Sequence, residues 1–159
     1  MTSLKNLVIT STAFFALTAA TATPPAISDI NQFSFVNMQN DTTISISYTS
    51  SGCFHHESGV MSFTAETLSY HGATKTVDFK DMAGLDKYFR DLSAKQGQFG
   101  GCTSSSHMTL TLNRDGEAVG QISLKDDFCF REDGMVAPNS LKYRLFEKER
   151  EQQQTLIDD

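Results

Sequence analysis

The chain of 159 residues has no tryptophan, only three prolines and only three cysteines. Because tryptophan is absent and phenylalanine is abundant at 12 residues, we expect phenylalanine to dominate the core. An excess of positive charge is also missing, since 13 Lys and Arg stand against 19 Asp and Glu, for a formal charge of −6 at pH 7. Nucleic acids and anionic membranes favour positively charged proteins, so the sequence predicts neither as a partner. The expected partner is an unknown protein or a small-molecule ligand.

Long apolar runs are missing except near the start, where residues 1–22 have the features of a signal peptide. Lys5 supplies a positive charge, residues 7–17 form a short apolar stretch, and residues 20–22 give a small-x-small cleavage site. The apolar stretch is too short to span a bilayer, so we expect no membrane span in the mature chain. The sequence therefore predicts removal of residues 1–22 and a periplasmic or secreted mature protein.

The clearest predicted element is a β-hairpin over residues 108–124, where two alternating runs are joined by an Asn-x-Asp-Gly turn. Such a turn is typical of a three-residue hairpin loop closed by a left-handed glycine. We therefore expect Asn113 to lie opposite Glu117 and Leu112 opposite Ala118. In this register the apolar residues share one face and the threonines the other, as a half-buried hairpin requires.

The same register brings two of the three cysteines to the open end of the hairpin. Cys102 and Cys129 arrive one residue apart, and bridged Cα atoms must lie within about 7 Å. A bulge near Gly100-Gly101, or fraying beyond Ser106, would remove this one-residue offset. In an oxidising compartment we favour a Cys102–Cys129 disulfide. The alternatives are a Cys53–Cys102 bridge, and then Cys53–Cys129 or no bridge.

Alternating hydrophobicity predicts further strands before this hairpin. They cover residues 33–37, 43–48, 60–70 and 76–79, with a bulge or bend at Glu66-Thr67 and a turn at His71-Gly72. Placing Tyr48 opposite Met61 also aligns Ile46 with Phe63. This register leaves residues 50–59 as a long polar loop between two strands.

Helical spacing follows in the middle of the chain. The apolar residues at i, i+3, i+4 and i+7 are Leu85, Tyr88, Phe89 and Leu92. We expect a helix over residues 81–96, with Asp81 as its N-cap and Gly97 just after its end.

The order of elements predicts an α+β fold: a mostly antiparallel sheet of about five to six strands with one helix packed on a face, plus a C-terminal helical tail. We expect residues 23–138 to form a single α+β domain. Residues 139–159 are predicted to form a charged C-terminal helix or tail that contains Leu141, Leu145 and Phe146.

The densest group of potential ligands and nucleophiles is the run Cys53-Phe54-His55-His56-Glu57 in the predicted loop. As a metal site, Cys53 and His55 would bind zinc or copper together with a third ligand, His107 or alternatively His71. As a catalytic dyad, Cys53 would be the nucleophile and a histidine its base. Adjacent residues of an extended chain point in opposite directions, so His55 and His56 are not expected to bind one ion together. An exposed loop with surface histidines also explains the run.

No complete catalytic constellation accompanies this run. The serines before His107 lack the Gly-x-Ser-x-Gly and Ser-x-x-Lys motifs, and the aspartates lack a calcium-loop spacing, so we expect no cofactor. We interpret the chain as a small exported, non-catalytic binding or inhibitory module with its site in the loop at residues 50–59. The alternative is a metal-binding protein or a Cys/His enzyme centred on residues 53–56.

Overall fold

The computed structural model describes residues 23–129 and 131–147, which form an antiparallel six-stranded sheet with a helix on one face. The elements are a 3₁₀ turn (Ile30–Gln32), β1 (Thr42–Gly52), β2 (His55–Phe63), β3 (Thr67–Tyr70), β4 (Ala73–Thr76), α1 (Phe79–Ala94), β5 (Gly101–Arg114), β6 (Glu117–Phe128), α2 (Pro138–Lys142) and a π-helical turn (Tyr143–Glu147). The strand order is β4-β3-β2-β1-β5-β6. This confirms the predicted α+β class. We call the sheet face toward α1 the helix side and the opposite face the open face.

Two predicted features lie outside the described residues. The signal peptide predicted for residues 1–22 is one of them. The other is the charged stretch that follows residue 147. The three apolar residues named in the predicted C-terminal helix fall within the described part, where Leu141 and Phe146 are buried and Leu145 packs against the core.

Phenylalanine residues fill the centre of the core between the sheet and α1. The ring of Phe35 stacks on Phe89 of α1 with 5.6 Å between centroids, and it meets Phe63 of β2 edge-on at 5.1 Å. With Phe33, these residues are among the largest fully buried side chains. Each fully buried phenylalanine contributes about 1.5–3 kcal/mol, so this cluster is a main source of stability.

The strand predicted at residues 33–37 is wrong, because this segment is irregular. The Phe35 N–H donates to Asp86 Oδ1 of α1 at 2.7 Å, and the Ser34 hydroxyl donates to Asp86 Oδ2 at 3.0 Å. Since a helix carboxylate accepts these hydrogen bonds, the segment needs no neighbouring strand. Its alternating phenylalanines are buried nonetheless, which explains why the sequence suggested a strand.

The first hairpin is longer and tighter than predicted, because β1 and β2 join through a two-residue turn at Cys53-Phe54. Met61 lies opposite Ile46 and not opposite the predicted Tyr48. The predicted loop over residues 50–59 is therefore wrong, since all of it except the turn is paired strand. Its polar side chains suggested a loop, yet they continue the alternation of the strand that precedes them.

Between β2 and β3 the chain reverses, where the sequence predicted a bulge or bend within one strand. The Thr64 hydroxyl accepts the N–H of Thr67 at 3.1 Å and the N–H of Glu66 at 3.4 Å. Phe63 consequently lies opposite Leu68 across an antiparallel pair. A side-chain acceptor that takes backbone donors in this way ends one strand and starts the next.

Helix α1 begins earlier than predicted, because its N-cap is Asp78 and not Asp81, three residues further on. Asp78 Oδ1 accepts the Asp81 N–H at 2.8 Å. Phe79 therefore opens the helix, and the strand predicted at residues 76–79 lies earlier, at Ala73–Thr76. The predicted apolar stripe of the helix is buried.

The closing hairpin is present, but its turn differs from the prediction. Asp115-Gly116 form a two-residue turn with φ of 51° and 81°. Glu117 therefore pairs with Arg114 and not with the predicted Asn113. A register shift then places Leu112 opposite Gly120 rather than opposite the predicted Ala118. The apolar residues of β5 stay on the predicted face, because their partners change by two positions.

The predicted disulfide is confirmed. Cys102 and Cys129 are bonded, with their Cα atoms 5.2 Å apart. The β5–β6 pairing shifts between Gly101 and Ser106, which supplies the irregularity that the sequence required for this bond. Cys53 is free and exposed.

The long edge strand β6 is covered at two positions. Ile27 N–H donates to the Gln121 carbonyl at 2.7 Å, and Gln121 N–H donates to the Pro25 carbonyl at 2.9 Å. Further along, the Gln96 side chain hydrogen-bonds both the N–H and the carbonyl of Lys125. Such covers protect a strand edge from pairing with another chain.

We expect the disulfide to stabilise the fold by about 3 to 4 kcal/mol, because its sequence separation is 27 residues and the bond limits the unfolded chain. The double substitution Cys102→Ser with Cys129→Ser should lower the unfolding free energy by that amount in a denaturant titration. Cys53→Ser is the control and should change it by less than about 0.5 kcal/mol. Equal losses in the two variants would contradict this assignment.

Candidate functional site

One end of the sheet gathers the residues on which the functional prediction rests. Ser51 near the end of β1 pairs with Ser105 near the start of β5, and β6 returns alongside β5. We call this the distal end. It comprises the Cys53-Phe54 turn, residues 97–100 and the Cys102–Cys129 disulfide.

Two phenylalanines are exposed at the distal end, although other phenylalanines form the centre of the core. The side chain of Phe54 is 100% exposed and that of Phe99 is 94% exposed. A groove of about 370 Å³ lies beside Phe99, and Lys95, Asp127 and Phe128 line it as well. The distal end thus combines a projecting aromatic side chain with a partly apolar groove.

The two adjacent histidines of the predicted site lie on opposite faces of β2. His55 is on the helix side, where its Nε2 lies 3.2 Å from the Ser50 hydroxyl. The Ser106 hydroxyl donates to the same Ser50 oxygen at 2.9 Å, so hydrogen bonds cross β2, β1 and β5. His56 lies on the open face opposite Ser51. His55 therefore helps to hold the hairpin end, and His56 faces solvent.

Glu57 is the centre of a polar cluster between β2 and α2. Its Oε1 accepts the Tyr48 hydroxyl at 2.6 Å and the Tyr70 hydroxyl at 3.4 Å, and it forms an ion pair with Lys142. The Lys142 side chain is only 3% exposed, and its Nζ also lies 3.1 Å from Glu147. The ammonium sits 5.6 Å and 5.2 Å from the centres of the two tyrosine rings. This cluster fastens the C-terminal helix to the sheet.

Both partners of the ion pair are held in their charged forms. Burial raises the pKa of Glu57, but hydrogen bonds from Lys142 and Tyr48 outweigh it, and the pKa falls below its ordinary value. Burial lowers the pKa of Lys142, but hydrogen bonds to Glu57 and Glu147 raise it above its ordinary value. Burial, followed by the bond to Glu57, raises the pKa of Tyr48. The arrangement therefore supplies a fixed cation and carboxylate rather than a general base.

The residues of the alternative metal site are not brought to one place. His55 is on the helix side of β2, whereas His107 is on the open face of β5 opposite Thr49, and Cys53 is in the turn. Within residues 23–129 and 131–147, no three His, Cys, Asp or Glu side chains form a group that would hold a metal ion. Of the predicted run, the structure thus places Cys53 and Phe54 at the tip, and the next three residues on the strand behind it.

Sequence reasoning found Glu57 but missed its partners. Tyr48 and Tyr70 belong to predicted strands, and their hydroxyls are paired because they share the helix side with Glu57. Lys142 is 85 residues away in the chain, and no local pattern relates the two. The available signal is the position of Lys142 directly after the apolar Leu141 in the predicted C-terminal helix.

Comparison with known proteins finds no family model, no curated protein and no solved structure that matches the chain. In the part of the chain that the structure describes, none of the helices has the length and apolar character needed to cross a membrane.

Glu57→Gln should lower the unfolding free energy by about 1–2 kcal/mol, because it removes a charged hydrogen-bond acceptor from a buried ammonium. The loss is limited because Glu147 still pairs with Lys142 and the Glu57 side chain is 39% exposed. Denaturant titration measures it. Asp91→Asn, which breaks the surface ion pair with Lys95, is the control and should change stability by less than about 0.5 kcal/mol. A loss no larger than that of the control would refute the cluster as a fastening.

The contribution of Glu57 should also depend on pH. Its pKa is lower in the folded state than in the unfolded chain, where carboxyls of this type titrate near about 4.3. The stabilisation is therefore present above about pH 4.3 and disappears as the pH falls through the folded-state value. Titrations at pH 7, 5 and 3 should give a difference between the wild type and Glu57→Gln that is constant at the upper values and smaller at pH 3. A difference that grows on acidification would contradict the sign of this shift.

Proposed function

We propose that the chain is a small exported, non-catalytic binding or inhibitory module that contacts a partner protein through its distal end. The observation that carries the proposal is the complete exposure of Phe54 in a two-residue turn between two paired strands. Aromatic side chains dominate the binding energy of many protein interfaces, where they fill pockets on the partner. Burying one phenylalanine is worth about 1.5–3 kcal/mol, or about 10- to 150-fold in affinity.

Several interactions hold the exposed turn in place before any partner is bound. β1 is paired with β2 up to the turn and with β5 on its other side. Behind the turn, the Ser50, His55 and Ser106 hydrogen bonds and the Glu57–Lys142 ion pair fix the helix side of the hairpin. A contact surface that is already ordered loses little conformational entropy on binding, which favours affinity.

The shape of the distal end favours a protein over a small molecule. Phe54 projects into solvent, so its partner has to supply the concave surface that encloses the ring. The groove beside Phe99 offers a second, complementary contact at the same end. A projecting side chain with a neighbouring groove suits a binding surface that extends over several residues of a partner protein.

Export to the periplasm or the cell exterior is part of the proposal. Residues 1–22 have the charge, the apolar stretch and the cleavage site of a signal peptide. The Cys102–Cys129 disulfide is of a kind that persists in oxidising compartments. The partner would accordingly be met in the same compartment.

The test uses the mature chain, residues 23–159, as bait on the exported proteins of the cells that produce it. Wild-type bait should retain a specific protein, and Phe54→Ala should reduce its retention by about 10-fold or more, as measured by quantitative mass spectrometry. Phe79→Ala is the matched control, because Phe79 is also exposed, at 71%, but opens α1 after β4 and lies away from the distal end. Equal retention by Phe54→Ala and wild type, with both chains folded, would overturn the proposal.

A further inference from the structure

The open face of the sheet is lined by short hydroxyl side chains. Its paired positions carry hydroxyls at Thr43, Ser45, Ser47, Thr49 and Ser51 on β1, Ser58 and Ser62 on β2, Thr67 and Ser69 on β3, Thr74 and Thr76 on β4, Ser105, Thr109 and Thr111 on β5, and Ser123 on β6. Some are already bonded to each other, as in Thr109 with Ser123 at 2.9 Å and Ser69 with Thr74 at 2.8 Å. Short side chains lose less rotamer entropy on binding than the long charged ones that are common on exposed surfaces.

Negative charge is sparse on this face. The chain has 19 Asp and Glu, yet none occupies a paired open-face position of the six described strands. The ionisable side chains at those positions are His56, His107 and Lys125, and the last two are direct neighbours across β5 and β6. An acidic protein thus presents one broad surface on which Asp127, the ion-pair partner of Lys125, is the acidic side chain next to these cations.

A depression of about 420 Å³ lies where these two features meet. Its walls on the open face are Ser47 and Thr49 of β1, His107 and Thr109 of β5, and Ser123 and Lys125 of β6. Lys125 is half-exposed and forms an ion pair with Asp127 at 2.7 Å. The Asp127 side chain is 14% exposed and takes one of the three N–H donors of the Lys125 ammonium, so the other donors can reach a ligand anion. The volume is within the range of small-molecule sites.

We infer that this depression binds an acidic sugar, a polyhydroxylated ring that carries a carboxylate. Each serine or threonine hydroxyl is both a donor and an acceptor, as each sugar hydroxyl is, so the walls match a polyol without needing a fixed orientation. Lys125 and His107 provide donors for the carboxylate at the β6 side of the depression. At this point the Gln96 side chain hydrogen-bonds both the N–H and the carbonyl of Lys125, which fixes the edge of β6.

This site adjoins the surface of the proposed function, because Lys125 lines both the depression and the groove beside Phe99. Phe54 lines neither of them. Phe54→Ala is therefore expected to bind the sugar as the wild type does.

The experiment titrates the isotope-labelled mature chain with three probes and follows backbone amide shifts by NMR. Trigalacturonic acid carries hydroxyls and carboxylates, maltotriose carries hydroxyls without charge, and inorganic sulfate carries charge without a sugar ring. Trigalacturonic acid should shift the amides of Ser47, Thr109 and Ser123 and bind about tenfold or more tightly than either of the others. Equal binding of maltotriose, equal binding of sulfate, absence of binding at millimolar concentration, or shifts confined to residues 53–57 would each overturn the inference.

Two substitutions assign the contacts. Lys125→Ala should weaken the binding of trigalacturonic acid about tenfold. Lys80→Ala removes the same charge from the exposed first turn of α1 and should leave this binding unchanged. Thr109→Val keeps the side-chain shape but removes a hydroxyl from the depression, and it should weaken binding several-fold. Thr74→Val removes a hydroxyl from the same face on β4 and is its control. Equal effects of a variant and its control would show that the depression is not the site.

Discussion

The pairing of β1 on both of its edges is the constraint on which the rest of the molecule depends. β1 is joined to β2 by a two-residue turn on one edge and pairs on the other edge with β5, which follows much later in the chain. Its helix-side residues change along the strand from Ile44 and Ile46, through Tyr48, to Ser50. The core, the polar cluster and the exposed turn therefore follow one another along a single strand. The distal end is ordered because the strand behind it is ordered.

Alternating hydrophobicity predicted which face each central strand residue occupies, but it did not predict the registers. In the first hairpin the observed partner of Met61 is Ile46, two residues from the predicted Tyr48. In the closing hairpin the partner of Leu112 is also two residues from the prediction. A slip of two residues leaves every side chain on its face, so the hydrophobic pattern does not detect it. Only the turn distinguishes such registers, and both hairpins have two-residue turns where longer connections were expected.

Other errors arose where side chains replace backbone partners, which local sequence does not reveal. Phe33 and Phe35 alternate like a strand, but Asp86 of a distant helix accepts the hydrogen bonds of that segment. Glu57 likewise depends on Lys142, 85 residues away. The disulfide was predictable because both cysteines belong to one hairpin whose open end the sequence defined. Contacts within a supersecondary unit were thus accessible from the sequence, and contacts between distant units were not.

Within the predicted site, residues that stabilise the fold can be distinguished from residues that do not. His55 and Glu57 have partners on the helix side that fix the hairpin, so their presence is explained by the fold. Phe54 has no such explanation, because a fully exposed aromatic ring in a turn adds nothing to the core. The same reasoning applies to the open face, where an exposed sheet would remain soluble with acidic side chains but carries hydroxyls instead. Function is best sought where the fold does not require the residue that is present, and in the described chain those places are the tip and the open face.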